Sequence, residues 1–247
     1  MERLTQSTYS NLGYTVPISY SYDAVGNLQS KSDYANTYRY GNAQKSLGGN
    51  AGSNAVRQVV KLNNSTVNFS YDNQGNLTAG DGLVISYNSF KQPTQISRSG
   101  NSFAFTYGAN LERLKEVRNG VTTYEIDKLY EEESNGNWRI YLQDIAIIKY
   151  DATNQHQIRY THKDRLGSTL TYTDHNGQVT DRRMFDAFGK PRATDGNTLT
   201  PPRLQNLTLS RNGFTDHRHL DEVELIHMNG RAYDYNLGRF LSVDPII

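Results

Sequence analysis

No cysteine occurs among the 247 residues, which rules out disulfides and thiolate metal sites and leaves the redox compartment open. Long apolar runs are missing too. The longest, Ile145-Ala146-Ile147-Ile148, is far too short to cross a bilayer, so no membrane span is expected. The N-terminal MERLTQSTYSNLGYTV lacks a basic stretch followed by an apolar one, so no secretory signal is visible. If the protein leaves the cell, a dedicated secretion apparatus or a larger parent chain must carry it; otherwise it stays cytoplasmic before export. Charge of one sign is absent as well. Lys and Arg number 26 against 25 Asp and Glu, so no field recruits nucleic acid or an anionic membrane. The apolar fraction is 36%, low for a compact globule, and a single Trp contributes little.

What fills the gap is 18 Tyr and 8 Phe. Tyrosine covers apolar area while keeping a hydroxyl to satisfy, which suits a sheet packed on one face and wet on the other. The tyrosines are periodic. Tyr20-Ser21-Tyr22-Asp23-Ala24-Val25-Gly26-Asn27-Leu28 recurs as Phe69-Ser70-Tyr71-Asp72-Asn73-Gln74-Gly75-Asn76-Leu77, with weaker copies at Tyr87-Asn88 and Tyr107-Gly108. From Tyr71 to Tyr87, Tyr107 and Tyr124 the steps are 16, 20 and 17 residues, room for two strands and two turns. In each unit aromatic and polar residues alternate, Asp opens a turn by bonding downstream backbone, and Gly supplies a positive φ.

Asn119-Gly120, Asn135-Gly136 and Asn176-Gly177 add hairpin signals, and residues 138–150 read as a pair of strands. Gly41 to Asn54 and Thr194 to Arg211 read as loops. Helix is scarce. The best candidate is His217 to Met228, where Leu220, Val223 and His227 share a side, with a loop as the alternative.

Later elements sharpen the picture. Asp164-Arg165-Leu166-Gly167-Ser168, then Asp174-His175-Asn176-Gly177, Phe185-Asp186-Ala187-Phe188-Gly189 and the stretch from Gly213 to Pro245 follow the tyrosine units in order. This series resembles the RHS/YD-repeat family of shell-forming bacterial toxin proteins. The resemblance implies an all-β fold in which YD hairpins build a curved, spiralling antiparallel strip. It places that strip at 1–150 and an RHS core-like plug at 151–247. It also implies an aspartyl self-cleaving site in the core, with Arg231 and Asp244 on the matching positions. One carboxylate held ionised by a cation and a second that shares a proton could activate water for peptide hydrolysis. The second acid and the scissile bond are expected beyond Pro245. Three departures stand out: Tyr235 in place of a proline, and Asp216 and Glu224 in place of glycines. Local turns are expected to differ there.

Other readings of the same residues are plainer. Arg231 with Asp244 could be a structural ion pair. His217, His219 and His227, among Asp216, Asp221, Glu222 and Glu224, match no zinc spacing and read as a charged surface turn rather than a metal site. The Asp-x-x-Gly-Asn units each offer one acid, too few for a calcium loop. No cofactor is expected.

Three functions therefore compete. The first is an encapsulation module of an RHS-type toxin system; the second is a self-cleaving protease core, incomplete here; the third is a cell-surface module that binds glycan or protein. The expected partners are a toxin or effector, an immunity-type protein, or further copies joined through open sheet edges.

Overall fold

The computed structural model describes residues 2–11, 14–41, 51–193 and 209–244. Most of the loop readings at 41–54 and 194–211 lie outside the described residues. The rest is an antiparallel meander. Strands β1 (Gln6–Asn11), β2 (Tyr14–Tyr22), β3 (Leu28–Lys31), β4 (Ala35–Arg39), β5 (Gln58–Lys61) and β6 (Thr66–Asn68) form one sheet in chain order. A second sheet of 13 strands also runs in chain order. It comprises β7 (Ser70–Tyr71), β8 (Leu77–Gly80), β9 (Leu83–Tyr87), β10 (Pro93–Arg98), β11 (Asn101–Tyr107), β12 (Arg113–Arg118) and β13 (Val121–Ile126), then β14 (Tyr130–Glu133), β15 (Trp138–Leu142), β16 (Ala146–Tyr150), β17 (His156–Lys163), β18 (Thr169–Thr173) and β19 (Val179–Arg182). Phe69 is the joint between them. Its N–H still bonds the Arg57 carbonyl at 2.9 Å, and its buried ring sits against Gly80, where a Cβ would lie 2.2 Å from it. The two sheets thus read as one ribbon with a single break.

One turn is stamped along this ribbon seven times. At Asp23, Asp72, Asn88, Asp151, Asp164, Asp174 and Asp186, the side-chain Oδ1 accepts the N–H groups two and four residues on. The backbone closes the same five residues with two further bonds. The fourth residue is left-handed, as Gly in five copies but as Lys91 and Asn154 in the others. The repeat units and the Asp164 and Asp186 motifs are therefore one device: an acceptor that caps a turn glycine can enter. Between β8 and β13 two-residue turns at Asp81-Gly82, Ser99-Gly100 and Asn119-Gly120, left-handed at both residues as tight hairpins require, alternate with the capped turn at Asn88 and with a turn at Gly108 that keeps the two backbone bonds without a side-chain cap.

The tyrosines complete the wall. The hydroxyls of Tyr40, Tyr71, Tyr87 and Tyr107 donate to the carbonyls of Leu28, Val56, Leu77 and Pro93 at 2.7 to 2.8 Å. Each ring is thereby packed without an orphaned polar atom.

The C-terminal segment forms a small sheet of β22 (Arg218–Leu220), β23 (Leu225–Met228), β24 (Arg231–Asp234) and β25 (Arg239–Phe240), entered after the two-stranded β20 (Met184–Phe185) and β21 (Pro191–Arg192). Leu220, Leu225, Ile226, Ala232 and Tyr235 have no exposed surface. Leu220, Leu225 and Ala232 share one core with Ile18, Tyr20 and Tyr38 of the first sheet and Ile85, Ile96 and Phe103 of the second. β3, β4 and each strand from β8 to β14 make a hydrogen bond or ion pair to this C-terminal segment, so the ribbon has to bend around it. The helix expected over His217 to Met228 is instead strand, 3-10 turn (Asp221–Val223) and strand. Glu224 ends that turn in the left-handed region at φ 59°, which no helix continues through.

Candidate functional site at the wall and hairpin seam

Where the ribbon meets the C-terminal sheet, charged side chains are buried or half-buried in three clusters. Arg218, itself buried, is the centre of the first. It contacts Glu131 directly, Glu125 at 3.3 Å and Glu116 at 3.8 Å. Arg113 grips Glu125 with two bonds of 2.7 and 2.9 Å, and Arg139 reaches Glu133 at 2.7 Å while donating to the Leu209 carbonyl at 2.8 Å. Burial pushes the Glu125 carboxyl up, but Arg218 and Arg113 outweigh it and hold it below the ordinary range. A cavity of about 840 Å³ opens beside this cluster, lined among others by Arg113, Glu125, Tyr141, Lys163 and His217.

The second cluster joins Arg98 to Asp81 (2.5 Å) and Glu224 (3.0 Å), with Lys61 on Asp81 at 2.6 Å. Asp234 lies near it. Its Oδ1 accepts the N–H groups of Asn236 and Leu237. Burial raises its carboxyl to about 6, against the pull of those bonds and of Arg98.

The third cluster gathers Lys31, Asp33, Asp186, Lys190 and Arg192, tying β3 to the turn between β20 and β21. Burial pushes the Asp33 carboxyl up, yet Lys31, Lys190 and Arg192 bring it well below the usual carboxylate range.

Sequence reading passed over all three clusters. A signal was present: Glu116, Glu131, Arg139 and Asp181 sit at inward positions of alternating strands, where apolar residues belong, and all are buried. A charged residue on the core face needs partners, and the partners lie far away in sequence.

Arg231 and Asp244, the two site residues named from sequence, do meet. Arg231 Nη2 lies 3.0 Å from Asp244 Oδ2, and its guanidinium sits 3.7 Å over the Phe240 ring. The pair is at the surface, with 24% and 44% of the side chains exposed. The histidines are not a surface turn. His219 is buried, with Nε2 accepting the Phe214 N–H and Nδ1 3.1 Å from Asp221. His227 is also buried, 2.8 Å from the Tyr107 hydroxyl, and burial holds it well below its ordinary value, with Arg113 and Arg218 adding to the shift. No metal-ligating group of three such residues occurs among the described residues. Asp216 and Glu224 take the left-handed conformation at φ 58° and 59° without glycine, and Tyr235 is fully buried.

No family model matches the sequence. Among characterised proteins the chain is similar to tRNA nuclease WapA of Bacillus subtilis, 24% identical over 238 residues. It is similar also to double-stranded DNA deaminase toxin A of Burkholderia cenocepacia, 26% identical over 236 residues. These matches cover 92% and 93% of this chain but only 10% and 15% of those proteins. Among solved structures, TcdB2-TccC3 matches 98% of this chain and 17% of its own length, with a TM-score of 0.59 and 14% identity. The Photorhabdus luminescens Tc holotoxin pore matches 92% of this chain and 12% of its own, with a TM-score of 0.58 and 14% identity. The chain therefore shares its fold with part of a Tc toxin component and remote sequence similarity with segments of bacterial toxins.

Proposed function

We propose that this chain is a structural segment of a bacterial RHS-type toxin, a piece of β-shell that wraps and is sealed by its own C-terminal sheet. The observation behind this reading is the single ribbon in which β3, β4 and β8 to β14 all contact the C-terminal segment. Such a wall provides enclosure. The division at about residue 150 is proposed as a boundary of motif, the YD strip before it and the RHS core-like region after it. β17, β18 and β19 continue the same sheet past that boundary. The proposed partners are a toxin or effector, an immunity-type protein or further copies, and the proposed route is delivery by a dedicated apparatus. The balanced charge supports a protein partner over nucleic acid. To test the reading, the sequence that follows Ile247 in its gene is expressed with and without this chain, and protease digestion of that continuation is timed. Protection by the chain supports enclosure; equal digestion rates refute it.

A second reading rests on the Arg231–Asp244 contact. The pair supplies half of an aspartyl self-cleaving site, with Asp244 as the acid and Arg231 as the cation that holds it in place at 3.0 Å. In the extended chain, self-cleavage is then expected and Asp244→Asn abolishes it. Cleavage that persists in Asp244→Asn makes the pair purely structural.

A further inference from the structure

The cluster around Lys31 has the parts of a condensation site. Lys31 has no exposed surface, and its Nζ lies 2.9 Å from Asp186 Oδ2, itself wholly buried. Oδ1 of Asp186 already accepts the N–H groups of Phe188 (2.8 Å) and Lys190 (2.9 Å). Arg192 Nη2 donates to Asp186 Oδ2 at 2.9 Å. Asp33 stands alongside. Its Oδ1 is buried, accepts no hydrogen bond, and faces the Lys31 ammonium at 3.7 Å. The Phe188 ring covers the lysine, its centroid 5.6 Å from Nζ, and Tyr20 packs edge-on against that ring. A nucleophile, a carboxyl carbon, a base with an unused lone pair and two amide donors on the carboxyl oxygen are thus enclosed together away from water.

We propose that Lys31 and Asp186 condense into an intramolecular isopeptide bond that ties β3 to the turn between β20 and β21. Asp33 relays a proton from the Lys31 ammonium to Oδ2 of Asp186, leaving a neutral amine beside a neutral carboxyl, and the amine attacks Cγ of Asp186, forming the C–N bond. Negative charge develops on Oδ1, where the Phe188 and Lys190 amides hold it. The Cγ–Oδ2 bond then breaks, and Oδ2 departs as water with two of the ammonium's three protons, passed on through Asp33. The third proton stays on the new amide, which donates to the Tyr235 carbonyl, 3.0 Å from Nζ before reaction. One ammonium and one carboxylate give one amide and one water; Asp33 is regenerated, and nothing is oxidised or reduced. Groups held in such contact react as if at an effective concentration of about 10⁵–10⁸ M. The dry site favours a neutral amide over a buried ion pair. The bond would close a loop between positions 155 residues apart and lock the ribbon without cysteine.

The test is the intact mass of the folded full chain under denaturing conditions, followed by peptide mapping. The expected result is a mass lower than the sequence by one water, and a branched peptide joining Lys31 to Asp186. Lys31→Met and Asp33→Asn are expected to keep their full mass. Wild-type protein that folds yet keeps its full mass, fresh and after prolonged incubation at neutral pH, overturns the proposal. Loss of water that persists in Lys31→Met overturns it too, because a succinimide at Asp81-Gly82 would then account for the mass.

Discussion

Replacing Arg218 by Met leaves a methylene stem of similar reach but removes the cation that three buried glutamates share. Only 3% of the Arg218 side chain is exposed, against 1%, 10% and 7% for Glu116, Glu125 and Glu131. Solvent therefore cannot replace the lost partner. Removing one side of a buried ion pair costs about 3–5 kcal/mol, because the remaining charge stays buried. Arg113 still holds Glu125, so the lower half of that range is expected. For a chain of this size that is a fall in Tm on the order of 10 °C. The pH dependence has a definite sign. In the wild type the Glu125 carboxyl is depressed, so its contribution is present above its unfolded value and is lost as pH falls through the folded one. In the variant the unpaired glutamates are raised by burial, so their penalty is absent at low pH and grows as pH rises. The stability gap between the two proteins should therefore shrink from pH 7 to pH 4. Urea unfolding across that range measures it. A gap under about 1 kcal/mol, or one that does not change with pH, refutes the view that Arg218 neutralises buried carboxylates.

Two further predictions concern single positions. Gly80→Ala drives a Cβ into the Phe69 ring and should cost about 1–3 kcal/mol or more in urea unfolding, whereas Gly177→Ala, with open space around it, pays only for its left-handed φ, about 1 kcal/mol. Equal costs would show that Phe69 moves freely and is no joint. Asp234 has a folded carboxyl at about 6, above its unfolded value, so its favourable contribution is complete below about pH 4 and lost as pH rises through 6. Asp234→Asn keeps an acceptor for the Asn236 and Leu237 amides and should become more stable than wild type by up to about 3 kcal/mol between pH 4 and 7. A difference independent of pH would show that Asp234 titrates normally.

The repetitive part of the fold was legible because its cause is local. An Asp or Asn that caps the next four residues, a left-handed fourth position and a tyrosine on the packed face lie within nine residues of each other. The same locality explains why the copy at Tyr87-Asn88 reads as weak and the Asp151 turn was missed: Lys91 and Asn154 occupy the left-handed position without glycine. The error over His217 to Met228 has a similar origin. Leu220, Val223 and His227 fit a helical spacing, but Leu220, Leu225 and Ile226 are buried on more than one side by the encircling ribbon, which erases any helical or strand period. The candidate site was half legible. Arg231 and Asp244 lie 13 positions apart in one motif, while Lys31 and Asp186 lie 155 apart and Arg218 and Glu131 lie 87 apart. Contacts of that range leave no trace in local pattern, only the anomaly of charge where apolar residues belong.

Native-state hydrogen exchange at single-residue resolution tests the central claim most directly. If the ribbon folds around the C-terminal sheet, the bonded amides of β23 and β24, among them Ile226 and Tyr233, exchange as slowly as those of Ile85 and Phe103 in the wall and open only with global unfolding. Fast exchange in β23 and β24 beside a protected wall would mean that the terminal sheet is an appendage and not the centre of the fold.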